Sequence, residues 1–311
     1  MNSMLTMQNF LDYNIGANPY SGIVANVKLD DLLLKEDVTP KLSILMSVFH
    51  RYSQLQRTLE TLCRQQFKDF EVLIYDNDDD EHIEKVVEQF TPYLHLKLFK
   101  KQGGVRRFDP SISFKEMLPS ANGDVIALMQ PECMLYPTAT YWLYFGHDLI
   151  KEKISDLANI YNIENALPVS VKDWNSSTCI TLKSLWLCPK MQTEIDKYDW
   201  HTDITNLYKL PEFWTGGCGL SNFSNTVWAG YNNQIWWLVF SFRKDSGILQ
   251  KFPDVLGHAS IDFYMINYRT IHNYIDIMPY EPLSIHQEHH RMSFSPEGEQ
   301  AFVSNKEYYK E

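Results

Sequence analysis

An α/β fold, with a doubly wound, mostly parallel central sheet flanked by helices, is what the first half of this sequence predicts. Three observations carry that expectation. Near-continuous apolar runs at Leu42–Phe49 (LSILMSVF) and Phe70–Tyr75 (FEVLIY) read as strands buried on both faces. Each run is followed by a stripe of apolar residues at helical spacing. The strand–helix alternation then recurs as far as Met129, the signature of βαβ units.

Taken in order, residues 1–40 carry no sustained period and read as an N-terminal arm. After the first strand, Ser53 and Gln56 have capping-box spacing, and Leu55, Leu59 and Leu62 predict an amphipathic helix to about Gln66. The second strand runs into Asp76-Asn77-Asp78-Asp79-Asp80, after which Ile83, Val86, Val87 and Phe90 mark a second helix. Leu94–Phe99 alternates as a third strand, Ser113–Leu118 reads as a short helix, and Asp124–Met129 as a fourth strand. From about 135 to 210 the pattern blurs into mixed helix and loop; a second legible block runs from Trp214 to Arg269. A polar, His-rich tail follows from His286. The expected organisation is thus an arm (1–40), an α/β half (41–135), a less regular second half (136–285) and a tail (286–311) that could close over the site.

Composition narrows the classes of function. With 44% apolar and 14% aromatic residues the chain is too hydrophobic to be disordered. No run approaches the ~18 apolar residues of a membrane helix, and the N-terminus lacks the pattern of a signal peptide. Five cysteines, none in a C-x-x-C pair, point to reduced thiols and a cytoplasmic setting. Lys plus Arg number 28 against 39 Asp plus Glu, a net charge of −11 that argues against a bulk coat on nucleic acid.

In open α/β sheets ligands bind beyond the carboxyl ends of the strands. Three such ends carry polar groups: Phe49-His50-Arg51, Asp76-Asn77-Asp78 and Gln130-Pro131-Glu132. The first turn, SVFHRYS, has neither the G-x-G-x-x-G of a dinucleotide site nor a P-loop, and the chain has no G-x-S-x-G elbow. A carboxylate ending the second strand suits base N–H groups or ribose hydroxyls, and one ending the fourth suits a hard divalent cation. Acids at 76–80 equally suit a solvated helix N-terminus, with Asp76 the best placed of them for a ligand.

The segment KLSILMSVFHRYSQLQRTLETLCRQQFKDFEVLIYDNDDDE resembles the opening of a family 2 glycosyltransferase of the GT-A fold. ANGDVIALMQPECMLYP is similar to that family's A-x-G-x-x-I-x-x-L-D-x-D strand, TGGCGLSNFSNTVWAGYNN to its Gly-Gly acceptor-side loop, and SIDFYMINYR to its acidic helix with a trailing Arg. The resemblance implies inverting transfer of a sugar from a nucleoside diphosphate sugar, usually UDP-linked, to an acceptor hydroxyl. By position, Val48, Phe49 and Arg51 would border the base, Asp76 and Asn77 would hold uracil and ribose, and Asp262 would be the catalytic base. Glu132 would hold the metal, Mn2+ or Mg2+.

The departure lies at the metal motif, where Gln130-Pro131-Glu132 replaces Asp-x-Asp. Gln130 can still contact ribose or metal-bound water, and His286 is the candidate second ligand, an imidazole that favours Mn2+. The same departure motivates the alternative of a weakened module that binds a nucleotide sugar or partner without turnover. Arg269 is read either as a diphosphate contact or as the partner of an acid. Arg107, in the basic patch around Gly103-Gly104, is read as a phosphate contact or a solvated loop residue. Trp214, beside Gly216 and Gly217, is the one tryptophan placed at the site, the others being read as core. The acceptor is left open among glycan, protein, small molecule and, less favoured, a modified DNA base. No integral membrane span is expected.

Overall fold

The structure, a computed structural model, describes residues 29–49, 51–77, 81–100, 110–148, 178–187, 214–218, 228–230, 239–251, 268–269, 272, 274–279 and 282–287. The apolar runs become β1 (Leu42–Val48), β2 (Phe70–Asp76) and β4 (Val125–Met129), with β3 (Leu96–Lys100) at the edge. The helices are α1 (Tyr52–Cys63), α2 (Glu81–Phe90), α3 (Pro110–Met117) and α4 (139–148).

β3, β2, β1 and β4 lie side by side and parallel, so the carboxyl ends of β1, β2 and β4 gather at one edge. Beyond β4 the eight-stranded sheet continues through β10 (Val239–Arg243), β6 (Thr178–Thr181), β11 (Ile275–Met278) and β9 (Trp228–Gly230). β10 runs antiparallel to both β4 and β6. Leu55, Leu59 and Leu62 of α1 and Ile83, Val86, Val87 and Phe90 of α2 pack on one face, while Phe114 and Met117 of α3 pack on the other. Double winding is therefore the burial of both faces of a sheet whose central strands have no polar side to expose.

A second sheet of four strands, β5 (Cys133–Leu135), β12 (Ser284–His286), β7 (Ser184–Leu187) and β8 (Trp214–Cys218), adjoins the first. The chain passes between the sheets at 130–132, from β4 to β5, and again at 182–183, from β6 to β7. Both passages lie at the ligand-side edge, since Met129 pairs with Val239 and Leu182 donates to the Val239 carbonyl at 3.0 Å.

Several local expectations change. The capping box at Ser53 does not form: Arg51 is the N-cap, and Ser53 Oγ and Gln56 Nε2 donate instead to Gln54 Oε1 and Gln89 Oε1. α1 ends at Cys63, not near Gln66, and the blurred stretch holds β6 and β7. The expected boundary at 285/286 runs through β12. Part of the arm docks, with Leu29 and Leu32 against the core and Lys35 N–H donating to the Pro92 carbonyl at 3.1 Å. Among the described residues no helix is long and apolar enough to cross a membrane.

Candidate functional site

The edge formed by the ends of β1, β2 and β4 brings together most of the sequence-predicted residues whose surroundings are described. Val48 pairs with Asp76 in register, and the Asn77 N–H donates to the Val48 carbonyl at 2.9 Å. Asp76 is fully buried at the end of β2. Successive residues of an extended chain face opposite sides, which separates Asp76 from Asn77. Asn77 belongs to a hydrogen-bonded bridge: its Nδ2 donates to Ser47 Oγ at 2.7 Å, and Ser113 Oγ donates to its Oδ1 at 3.0 Å. The carboxamide expected at the nucleotide thus ties β1, the end of β2 and α3 together.

The third strand end carries the candidate metal pair. After β4 the chain turns at Gln130-Pro131-Glu132, closed by the Cys133 N–H to the Gln130 carbonyl at 3.1 Å. β12 lies antiparallel to β5 with His286 opposite Cys133, which sets the imidazole beside the turn. His286 Nε2 stands 3.8 Å from Glu132 Oε1. Two donors each ~2.1 Å from one ion lie at most ~4.2 Å apart, so this spacing admits a shared cation. A carboxylate oxygen with an imidazole nitrogen is also a donor set that first-row divalent ions accept. Among the described residues no group of three or more His, Cys, Asp or Glu side chains converges on one point.

Arg51 completes the electrostatics. It is buried at the N-cap of α1; burial pulls its pKa down, and the Glu132 carboxylate opposes that by favouring the charged form. The carboxylate therefore offsets part of the cost of keeping the guanidinium charged in a site withdrawn from water. Phe49 is half-buried beside them, and Gln130 is half-buried at the start of the turn.

Other sequence-predicted residues go elsewhere. Arg269 Nη1 donates to Asp276 Oδ1 at 2.6 Å, both side chains are 3% exposed, and the guanidinium lies 5.8 Å from the Phe240 ring centre. Of the two readings of Arg269 the structure shows the pairing with an acid, which lies in β11 on the α3 face of the sheet. Gly216 and Gly217 are not a loop: they sit in β8, opposite Trp186 and Leu185 of β7, and Trp214 pairs with Leu187. Asp262 and Arg107 lie outside the described residues.

Four residues escaped sequence reasoning. Trp186 stands opposite His286 in the β12–β7 pairing, with ring centres 6.0 Å apart. Lys183 is fully buried at the second passage between sheets, where burial pulls its ammonium down to about 8. Tyr52 and His82 stack at 5.1 Å across the first turns of α1 and α2, next to the strand ends. Their partners are distant in sequence or lie on another helix, so no local pattern marks them. For Tyr52 and His82 the one local signal is an aromatic ring in the first turn of the helix that follows each strand.

Comparison with known proteins follows the same lines. Residues 43–138, from β1 through β5, match the family model described as glycosyl transferase family 2. A chondroitin synthase of Escherichia coli is 31% identical over 86 residues, which are 27% of this chain and 12% of that protein. Residues 1–349 of S. aureus TarS, solved in complex with UDP-GlcNAc, align over 82% of this chain and 61% of that one, with 13% identity and a TM-score of 0.52. A longer S. aureus TarS structure aligns over 80% of this chain and 37% of that one, with 14% identity and a TM-score of 0.51. The fold is that of the GT-A glycosyltransferases. The chain spans about an eighth of the synthase and about three fifths of TarS 1–349.

Proposed function

We propose that this protein is an inverting glycosyltransferase that moves a sugar from a nucleoside diphosphate sugar, UDP-linked, to an acceptor hydroxyl. The observation that carries this reading is the Glu132–His286 pair, 3.8 Å apart, at the strand edge where Asp76 ends β2. The family match over 43–138 supports it independently.

In this reading Asp76 accepts hydrogen bonds from the base or ribose, and Val48 and Phe49 border the base. Glu132 and His286 hold a divalent cation, Mn2+ in preference to Mg2+ because one donor is an imidazole. Such an ion supplies Lewis-acid neutralisation of charge on the departing diphosphate. Arg51, whose charged form Glu132 favours, places a cation beside that carboxylate. Asp262 takes the proton of the acceptor hydroxyl as that oxygen attacks the anomeric carbon from the face opposite the leaving group, general-base help worth ~10²–10⁴-fold. Free thiols at Cys63, Cys133 and Cys179 suit a reducing cytoplasm. The acceptor chemistry is open among glycan, protein and small molecule.

The test is UDP release from a panel of UDP-sugars with Mn2+, in wild type and Asp262→Asn. Release by wild type that the variant loses, with UDP binding retained, supports the reading. Full release by Asp262→Asn overturns the assignment of the base. Binding of a UDP-sugar with no release under any acceptor condition favours the non-turnover module that Gln130, standing where an Asp is usual, also suggests.

A further inference from the structure

We propose that Gln287 is the positioning residue that sets the Glu132–His286 spacing, acting through Thr58. The inference rests on the reading of Glu132 and His286 as the metal pair. Gln287 immediately follows His286 and is fully buried. Its backbone N–H donates to the Glu132 carbonyl at 2.9 Å, linking the residue after one candidate ligand to the backbone of the other. Its side-chain Nε2 donates to the Gln54 carbonyl at 3.0 Å and to Thr58 Oγ1 at 3.2 Å, both in α1. Thr58 Oγ1 in turn donates to the Pro131 carbonyl at 2.7 Å.

The hydrogens and lone pairs of this relay balance. The two protons of the carboxamide go to two acceptors in α1, and the threonine hydroxyl accepts one bond and gives its own proton to the turn. One face of α1 therefore fixes both sides of the pair: Pro131 on the Glu132 side, and Gln287 on the His286 side. Loss of the relay would leave β12 held to β5 by main-chain bonds alone, a three-residue ladder flanked by the Gln287 N–H to the Glu132 carbonyl and the Tyr136 N–H to the Leu283 carbonyl. Groups that orient ligands without touching the ion commonly govern metal affinity by ~10–100-fold.

The experiment is Mn2+ binding by the full-length chain in the presence of UDP, read from the electron paramagnetic resonance of the free aquo ion, together with the thermal midpoint and UDP affinity without metal. Gln287→Met keeps the volume and removes the donor, and Thr58→Val keeps the shape and removes the hydroxyl. Each is expected to raise the Mn2+ dissociation constant at least about tenfold, with metal-free UDP affinity unchanged. The double variant should be no weaker than the weaker single one, because both break one relay, and Thr58→Ser should restore tight binding. If Gln287→Met fails to fold, Thr58→Val and its Ser rescue carry the same test. Mn2+ affinity equal to wild type in folded Gln287→Met or Thr58→Val, whatever the thermal midpoint, overturns the inference and leaves Gln287 a structural staple. A wild type that binds UDP but no Mn2+ overturns the metal reading itself, and the inference with it.

Discussion

At Gly123 an added Cβ would lie 2.7 Å from both the Lys41 carbonyl oxygen and the Ser43 amide nitrogen, and 2.8 Å from the Leu42 carbonyl carbon. Those neighbours are backbone and cannot swing aside, so the A-x-G element of the sequence has a steric origin at the entry to β4. Gly123→Ala is expected to cost about 1–3 kcal/mol, read as a lower urea midpoint at unchanged slope. Glu71, the acid of F-K-D-F-E-V, has an equally local purpose. It accepts from Ser43 Oγ at 2.8 Å and from the Asn122 backbone at 2.6 Å, and pairs with Lys97 at 2.8 Å, joining the starts of β1, β2 and β4. At the opposite edge the adjacent residues Asp76 and Asn77 divide their work. Asp76→Asn, which removes the anionic acceptor, is expected to weaken UDP binding about tenfold, the equivalent of ~1.4 kcal/mol. Asn77→Ala should leave UDP affinity within about twofold and lower stability by ~2 kcal/mol, one for each hydrogen bond to Ser47 and Ser113. Calorimetric titration with UDP beside urea unfolding separates the two roles. The sequence alone points to both residues because both come at the end of a buried run, but the hydrogen bond that occupies Asn77 comes from α3, thirty-six residues away.

At the scale of the element, α1 was half legible. Its apolar stripe, Leu55, Leu59 and Leu62, is the stripe that packs into the core. An amphipathic reading assigns the remaining stripe to water, yet Gln54, Thr58, Thr61 and Gln65 are all buried. Three of them meet the backbone of the β4–β5 turn and β5: Thr58 Oγ1 bonds the Pro131 carbonyl, Thr61 Oγ1 accepts the Leu135 N–H at 2.9 Å, and Gln65 Nε2 reaches the Leu135 carbonyl at 3.4 Å. A helix packed against a strand edge needs polar side chains there to satisfy main-chain groups. Such partners lie seventy or more residues downstream, beyond any local period. Thr61→Val keeps the shape and leaves the buried Leu135 N–H without its acceptor, at a cost of about 1–3 kcal/mol. Thr61→Ser should retain most of that stability in the same denaturation experiment. β6 and β7 were illegible for a related reason. They are four residues each, and their neighbours in the sheets are supplied by β10, β11, β12 and β8.

At the scale of the whole molecule, the junction between the legible first half and the rest is one place where titration affects stability. His147 of α4 meets Ser241 of β10, and Ser241 Oγ gives its proton to the Leu143 carbonyl at 2.7 Å. The imidazole therefore donates from Nε2 to Ser241 Oγ at 3.1 Å and is held neutral, with burial pushing its pKa down to about 3 and Arg243 adding to the effect. A histidine depressed on folding stabilises the native state above its unfolded value, near 6.5, and that contribution is lost as the pH falls from there toward 3. Asp276 acts in the opposite sense. Burial raises it to about 6 against the pull of Arg269, so protonation favours the folded state, and its contribution fades as the pH rises from 3.8 to about 6. The two effects offset each other between roughly pH 4 and 6, and a wild-type profile alone would conceal both. His147→Gln, which retains a donor for Ser241, removes one of them. Relative to that variant, wild type should lose ground below pH 6.5 by up to about 1.4 kcal/mol per pH unit, and the difference should be constant above pH 7.5. Urea unfolding of both proteins at pH 7.5, 6.5, 5.5 and 4.5 measures it. A difference that stays flat across that range would mean that His147 takes up its proton in the folded state as readily as in the unfolded one, and that Ser241 and the core around it do not hold the imidazole neutral.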